Sequence, residues 1–166
     1  MRDKFYPTPQ VERENIEYAK MLAHDYAGAT SEDTAIHLYS YQAIILEKTH
    51  PDIAEVLEKI AFTEMHHLEL LGKTIYLLGL KPKYVSYTPD NIKQYWNSSS
   101  VNYTVSLTSM LKQNIKAESM AIATYERQRC EINDKYIKNL LTYIIEDEKQ
   151  HLETFTELLK KQKKLE

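Results

Sequence analysis

Apolar side chains recur along most of this chain at alternating steps of three and four residues, which is the spacing of one face of an α-helix. The pattern predicts four helices, which span about residues 12–50, 51–78, 103–131 and 134–159. Pro51 separates the first two, because proline breaks a helix interior but is accepted in a first turn. Gly79 and Pro82 end the second helix, and the Asn133-Asp134 pair supplies the turn before the last.

The stretch between the second and third helices has no sustained period. Residues 79–102 are rich in Ser, Asn, Pro and aromatic side chains, so they are predicted to form a long crossover, with a short helix near residues 91–96. Two tight connections and one long crossover are typical of two antiparallel helical hairpins joined into a four-helix bundle. The predicted fold class is therefore all-α, and residues 1–166 are predicted to be a single domain.

Composition narrows the possible partners. The chain has 21 Lys and Arg against 24 Asp and Glu, a balance that does not favour binding to nucleic acid. No apolar run approaches the roughly 20 residues that span a bilayer, so no membrane partner is expected. The single cysteine, Cys130, cannot form an internal disulfide or a paired-cysteine metal site, which favours a cytoplasmic location.

Each predicted helix carries a carboxylate within its apolar stripe, near the middle of its length. The polar residues on these stripes are Glu32, Glu64, His67, Glu118, Glu148 and His151. Burying four carboxylates together costs many kcal/mol of hydration and repulsion unless cations lie among them. Two divalent metal ions would neutralise four such charges.

One such residue alone would more often be a partly exposed side chain, but these residues lie in repeated motifs. A Glu-x-x-Ala-Ile-x-x-Tyr segment begins at Glu32 and again 86 residues later at Glu118. A Glu-x-x-His-Leu-Glu segment begins at Glu64 and again 84 residues later at Glu148. The two halves of the chain are therefore predicted to be a pseudo-repeat of one helical hairpin.

The spacing of Glu and His also indicates the kind of metal. Residues at positions i and i+3 lie on one face of a helix, so one carboxylate can bridge two metals while the imidazole binds one. Imidazole with carboxylate favours iron or manganese over calcium or magnesium, and the lack of cysteine ligands argues against a structural zinc. We expect two Mn or two Fe ions per chain, with the choice between them open.

A Glu from each of two helices and a Glu-x-x-His from each of the other two is the ligand set of the ferritin-like di-metal carboxylate proteins. The sequence resembles that superfamily from about Ala19 to Phe155. Residues 19–32 and 64–72 look like the manganese catalases and their short spore-coat relatives. The brevity of the chain and its compact hairpins look more like rubrerythrin and bacterioferritin.

Two departures from those branches matter. Rubrerythrins carry a further carboxylate one turn after the third-helix Glu, where this chain has Ala121, and a rubredoxin-type domain that one cysteine cannot build. Full-length manganese catalases have a longer crossover and a C-terminal extension. The resemblance favours catalase-like disproportionation of hydrogen peroxide, which needs no external electron donor, by a homo-oligomer of two to six chains.

The resemblance also implies residue roles. Glu32 and Glu118 would be terminal ligands, Glu64 a bridging ligand, and each histidine a ligand to one metal. Glu148 would either complete the ligand set of the second metal or act as the general acid/base for peroxide. Two alternatives remain open. One is a rubrerythrin-like or bacterioferritin-like di-iron protein acting on peroxide or dioxygen, as in peroxide reduction, ferroxidation or iron storage. The other is a non-catalytic spore-coat relative.

Four further residues are candidates for supporting the ligands. Asp147 resembles the aspartate that hydrogen-bonds a ligand histidine on the opposing helix, although a solvated helix charge would explain it as well. Tyr39 and Tyr125, two turns after Glu32 and Glu118, are expected to hydrogen-bond ligands, line a channel or pack in the core. Asn114 lies one turn before Glu118 and is a further candidate contact to that ligand.

Overall fold

The structure is a computed structural model, and it describes residues 5–164. Five α-helices carry the fold: α1 (Ile16–Ala27), α2 (Glu32–Leu46), α3 (Pro51–Leu77), α4 (Leu107–Glu131) and α5 (Lys135–Gln162). Helices α2 to α5 form a four-helix bundle in which α2 pairs with α3 and α4 with α5, and α1 packs against α3. The predicted all-α four-helix bundle is confirmed. No helix among residues 5–164 is both long and apolar enough to cross a membrane.

The first predicted helix, about residues 12–50, is in fact two helices. Asn15 caps α1 by accepting a hydrogen bond from the Tyr18 backbone, and α1 ends at Gly28. Ser31 then caps α2 through the Thr34 backbone amide, at 3.3 Å. A glycine commonly ends a helix and a capping serine commonly begins one. Gly28 and Ser31 therefore separate α1 from α2, although the apolar period continues across them. The interruption places Glu32 in the first turn of α2, where the helix dipole favours a carboxylate.

The other helices lie close to their predicted ranges. Helix α3 begins with Pro51 in its first turn, and the Asp134 side chain caps α5 by accepting from the Tyr136 and Ile137 amides. Helix α4 begins at Leu107, four residues later than expected, because the Ser106 side chain caps it through the Ser109 amide. Helix α5 continues to Gln162, beyond the expected end near residue 159.

The crossover does not contain the short helix predicted near residues 91–96. Instead, β1 (Val85–Tyr87) and β2 (Lys93–Tyr95) form an antiparallel hairpin with Val85 opposite Tyr95, followed by a 3₁₀ helix at Ser98–Ser100. Asn91, at φ 61°, makes the turn, since asparagine tolerates the left-handed region better than most residues. Trp96 then fastens the crossover to α2, where its Nε1 donates to Thr34 Oγ1 at 2.8 Å.

Two apolar clusters fill the bundle and leave a polar layer between them. One cluster lies towards α1 and includes Leu22, Leu71 and Ile144. The other surrounds Leu57 and Phe155. Along α3 and α5, the Glu-x-x-His motifs fall between residues of the two clusters, so their side chains lie mid-way along the bundle.

Candidate metal centre

The six predicted ligands converge in the polar layer between the two apolar clusters. All six are at most 5% exposed, and they form two groups in which the donor atoms lie within 4.8 Å of one another. The first group is Glu32, Glu64, His67 and Glu148; the second is Glu64, Glu118, Glu148 and His151. We call these groups the His67 site and the His151 site. Glu64 and Glu148 belong to both.

The two shared carboxylates have equivalent positions between the histidines. Glu64 places Oε2 at 2.9 Å from His67 Nδ1 and Oε1 at 3.0 Å from His151 Nδ1. Glu148 places Oε1 at 3.1 Å from His67 Nδ1 and Oε2 at 3.1 Å from His151 Nδ1. Each carboxylate therefore faces one histidine with each of its oxygens, which is the arrangement of a bridging ligand.

The remaining two carboxylates each approach one histidine. Glu32 Oε2 lies 3.8 Å from His67 Nδ1, and Glu118 Oε2 lies 4.0 Å from His151 Nδ1. Glu32 lies on α2 and Glu118 on α4, so each hairpin of the repeat supplies one of these two carboxylates. This geometry suits a ligand bound to one metal.

The donor set fits two cations. Each histidine Nδ1 faces oxygens of three carboxylates, yet a single N–H can donate only one good hydrogen bond. Oε1 of Glu64 and Oε1 of Glu148 each lie close to a histidine Nδ1 but accept no hydrogen bond there, an arrangement that costs free energy unless a cation satisfies them. A metal ion in each group would satisfy these oxygens and accept the Nδ1 lone pair.

In the metal-free centre the carboxyl groups differ in their pKa values. Burial, together with the charges of Glu64 and Glu148, raises the pKa of Glu32 well above its usual value, and burial with the same two charges does so for Glu118. Burial also opposes ionisation of Glu64 and Glu148, but contacts with His67 and His151 outweigh it and lower their pKa.

Both histidines bind protons more strongly than usual in the metal-free centre. Burial alone would lower the pKa of His67, but hydrogen bonds to Asp147 and neighbouring glutamates raise it well above the ordinary range. His151 behaves in the same way, with Glu64 and Glu148 supplying the opposing effect on its pKa. The same contacts that raise the pKa of the two histidines lower the pKa of Glu64 and Glu148.

Both predicted tyrosines contact a carboxylate that approaches only one histidine. The Tyr39 hydroxyl donates to Glu118 Oε1, and the Tyr125 hydroxyl donates to Glu32 Oε1. Each tyrosine therefore supports the carboxylate of the other hairpin. Asn114 has a different place: its amide exchanges hydrogen bonds with the Gln42 amide at 2.7 and 3.0 Å, so these bonds join α2 to α4 without touching a carboxylate of the centre.

Asp147 lies where a support for His67 is needed. Its Oδ2 is 3.2 Å from His67 Nε2, the ring nitrogen that faces away from the glutamates. The Tyr6 hydroxyl donates to the same Oδ2. Sequence reasoning missed Tyr6, because it lies before the first helix in a segment without any period.

A cavity of about 320 Å³ leads to the centre between α2 and α4. Its lining includes all four glutamates and both tyrosines of the centre, and small side chains such as Ala35, Ala117 and Ala121. Asp25, at the end of α1, lines the same cavity; it is 4% exposed, and its Oδ2 has no hydrogen-bond partner. Burial raises the pKa of Asp25. Asp25 lies three residues after Leu22, so it is a carboxylate on the apolar face of α1. That position could have identified it from the sequence.

Comparison with known proteins extends these observations. A protein of Clostridium acetobutylicum named as a probable manganese catalase is 26% identical over 175 residues, covering 93% of this chain and 75% of that protein. The crystal structure of a manganese catalase from Anabaena PCC7120 aligns with a TM-score of 0.84 at 24% identity, over 97% of this chain and 79% of the other. A Mycobacterium tuberculosis bacterioferritin aligns with a TM-score of 0.75 at 22% identity, over 92% of this chain and 90% of the other.

The structural similarities show the ferritin-like fold, in agreement with the resemblance noted from the sequence. The sequence model of the Rubrerythrin family matches residues 26–159, a range that contains all six candidate ligands. The chain therefore belongs to the rubrerythrin family.

Proposed function

We propose that this chain is a dinuclear metal oxidoreductase that disproportionates hydrogen peroxide to dioxygen and water. The observation that carries the proposal is the pair of three-carboxylate, one-histidine groups that share Glu64 and Glu148 at the inner end of a cavity. The similarity to proteins named as manganese catalases supports it. Bound Mn or Fe ions would supply the exchange of two electrons between successive peroxide molecules.

The ligand roles follow the distances. His67 and His151 would each hold one metal through Nδ1, and Glu32 and Glu118 would be the terminal ligands. Glu64 lies between both histidines and would bridge the two metals. The hydroxyls of Tyr39 and Tyr125 hold the terminal carboxylates in place, as supporting contacts commonly do around ligands.

Glu148 combines a ligand position with access to the cavity. In the catalase reaction the Glu148 carboxylate accepts a proton from peroxide and returns that proton to the departing oxygen.

The cavity suits a small substrate. Alanines at positions 35, 117 and 121 line it beside Glu32 and Glu118, so space is left on the side of the centre away from the histidines. Hydrogen peroxide and dioxygen are both small enough to occupy such a space.

A second candidate function is that of a di-iron protein that reduces peroxide or oxidises iron. The equivalence of Glu64 and Glu148 favours it, because a glutamate held between both histidines is better placed as a second bridging ligand than as a free acid/base. The similarity to a bacterioferritin fits this candidate as well.

Assembly size bears on this alternative. We propose a homo-oligomer of two to six chains, supported by large apolar side chains that this single chain leaves exposed, such as Ile44 at 72% and Tyr76 at 66%. Light scattering distinguishes such an assembly from the large cage that iron storage would need.

The decisive experiment is to load the protein with Mn²⁺ and, separately, with Fe²⁺, and to measure metal content and oxygen evolution from peroxide. The proposal expects about two ions per chain and one dioxygen for every two peroxides consumed, without an electron donor. Peroxide consumption that requires a donor and evolves no dioxygen would favour the second candidate. Metal content well below one ion per chain would overturn both.

A further inference from the structure

We propose that the two metal sites are unequal: Tyr6, acting through Asp147, positions His67 so that the His67 site binds its metal more tightly than the His151 site. The inference rests on the dinuclear centre of the proposed function, but not on the reaction that the centre performs. Tyr6 is a positioning residue in this proposal, since it reaches the centre only through another side chain.

The contact of Asp147 determines which nitrogen of His67 can bind metal. Asp147 Oδ2 lies 3.2 Å from Nε2, while Nδ1 lies 2.9 Å from Glu64 Oε2 and 3.1 Å from Glu148 Oε1. With Asp147 accepting from Nε2–H, the lone pair of a neutral imidazole stays on Nδ1 and points to the carboxylates. A carboxylate behind a histidine also strengthens it as a ligand.

Tyr6 holds that carboxylate from the other side. Its hydroxyl donates to the same Oδ2, and its ring packs edge-on against His66 at 4.5 Å and His67 at 6.1 Å between centroids. Asp147 is 7% exposed and Tyr6 is partly buried, so the tyrosine also covers the carboxylate.

The segment that carries Tyr6 is anchored to the bundle further along. The Glu12 backbone amide donates to Asp134 Oδ2 at 2.7 Å, and the Asn15 amide donates to the Leu78 carbonyl at 3.1 Å. Because these bonds attach the segment both to the start of α5 and to the end of α3, Tyr6 is held over the face that those two helices share.

The other half of the repeat lacks this support. The position 84 residues before Asp147 is Thr63, and its hydroxyl donates to the Lys59 carbonyl within α3 at 3.3 Å. Among residues 5–164, every carboxylate within 4.0 Å of His151 lies near Nδ1, so Nε2 has no acidic support of the kind Asp147 gives His67. The two sites thus have equivalent ligands but different surroundings.

The size of the expected difference follows from the usual effect of such contacts. Loss of a hydrogen-bond partner behind a ligand histidine typically lowers metal affinity by about 10- to 100-fold. We therefore expect the first ion to bind about 10- to 100-fold more tightly than the second, with the first ion in the His67 site.

The test is a titration of the metal-free full chain with Co²⁺, followed by visible absorbance and by equilibrium dialysis. The wild type should show two binding steps with separate spectra. Asp147→Asn and Tyr6→Phe should each weaken the tighter step, by about tenfold or more for Asp147→Asn, and leave the weaker step unchanged. Thermal unfolding of each metal-free variant measures its stability separately, so that a change in metal affinity can be distinguished from a loss of folding.

Two matched variants test the position of the effect. Tyr18→Phe removes a phenol that contacts the Asn133 amide, away from the centre, and should leave both steps unchanged. Thr63→Asp introduces a carboxylate at the position that corresponds to Asp147 in the repeat, and it should tighten the weaker step.

Two equal dissociation constants in the wild type, or a Tyr6→Phe variant that weakens both steps equally, would overturn the inference while leaving a dinuclear centre intact. Binding of less than one Co²⁺ per chain would overturn the metal centre itself, and with it the proposed function.

Discussion

The Tyr39 hydroxyl on α2 donates a hydrogen bond to Glu118 Oε1 on α4, in the opposite half of the repeat. The repeat makes the contact reciprocal, since Tyr125 on α4 donates to Glu32 Oε1 on α2. A tyrosine of each hairpin therefore holds a glutamate of the other hairpin, Glu118 or Glu32, across the cavity. This exchange links the orientation of the two candidate terminal ligands to the packing of the two hairpins.

Removing either phenol should weaken that link. Tyr39→Phe leaves Glu118 Oε1 without its donor in a buried layer, so we expect the metal-free protein to lose about 1–3 kcal/mol of unfolding free energy, and Tyr125→Phe to lose a similar amount. Denaturant unfolding measures the change, and metal titration should show weaker binding at the site whose carboxylate was released.

Tyr41→Phe is the matched control for both variants. Its hydroxyl donates to the Tyr103 carbonyl at the surface, at 3.2 Å, and its removal should change stability by about 0.5 kcal/mol or less. Equal effects at positions 39, 41 and 125 would mean that the buried contacts have no special role.

Substitution of the shared glutamates separates the two candidate functions. If Glu148 exchanges protons with peroxide, Glu148→Gln should keep most of its metal and lose about 100-fold or more of its oxygen evolution, whereas Glu64→Gln should lose metal. The amide has nearly the same shape as the carboxylate but cannot accept and return a proton. Metal content of the two purified variants decides the point.

The control for this pair is Glu153→Gln, an exposed glutamate on α5. It should match the wild type in both metal content and activity. Equal metal loss in Glu64→Gln and Glu148→Gln would favour the di-iron alternative, and full activity in Glu148→Gln would remove that residue from the mechanism.

Without metal, stability should fall as pH rises from about 5 to 8. Glu32 and Glu118 have raised pKa values when folded, so the stability they add is present below their unfolded pKa of 4.5 and is lost as pH rises through the folded values. The raised pKa values of His67 and His151 act in the same direction above 6.5. Glu64 and Glu148 have lowered pKa values when folded, so the stability that they add to the protein is lost only as pH falls below about 4.5.

The metal-bound protein should not show this decline over the same range, because metal ions hold the carboxylates ionised and the histidines neutral. Loading should also release protons from Glu32, Glu118, His67 and His151, so metal affinity should rise with pH. Melting temperatures of both forms between pH 5 and 8 check the first expectation. A metal-free form whose melting temperature rises towards pH 8 would contradict it.

Ala121 lines the cavity one turn after Glu118. Ala121→Glu places a longer, charged side chain beside Glu118 and should lower oxygen evolution by about tenfold, equivalent to ~1.4 kcal/mol in the barrier, without loss of metal. Stopped-flow or electrode measurements of dioxygen at several peroxide concentrations test this.

Ala123→Glu provides the comparison on the same helix, since Ala123 is exposed and does not line the cavity. It should retain wild-type turnover. Unchanged activity in Ala121→Glu would mean that substrate reaches the centre by another path.

Much of the centre could be predicted from the sequence because its key relationships are local. A Glu and a His three residues apart lie on the same helix face whatever the rest of the chain does, and the repeat at offsets of 84 and 86 residues predicts that two such faces meet. The bundle and its two hairpins followed from the apolar period for the same reason. The break at Gly28 was missed because that period continues across it.

The contacts between helices depended on the tertiary structure. Asp147 and His67 are 80 residues apart, and Tyr6 and Asp147 are 141 apart. The spacing of apolar residues in the sequence does not determine how far each helix is rotated about its axis. It therefore does not determine which side chains of neighbouring helices come into contact. Asn114 illustrates the point, because one turn before Glu118 it faces Gln42 instead of the centre. The amino-acid sequence thus determined which side chains share a helix face, whereas packing of the hairpins decided which of them touch, because those contacts depend on the relative rotation and separation of whole helices.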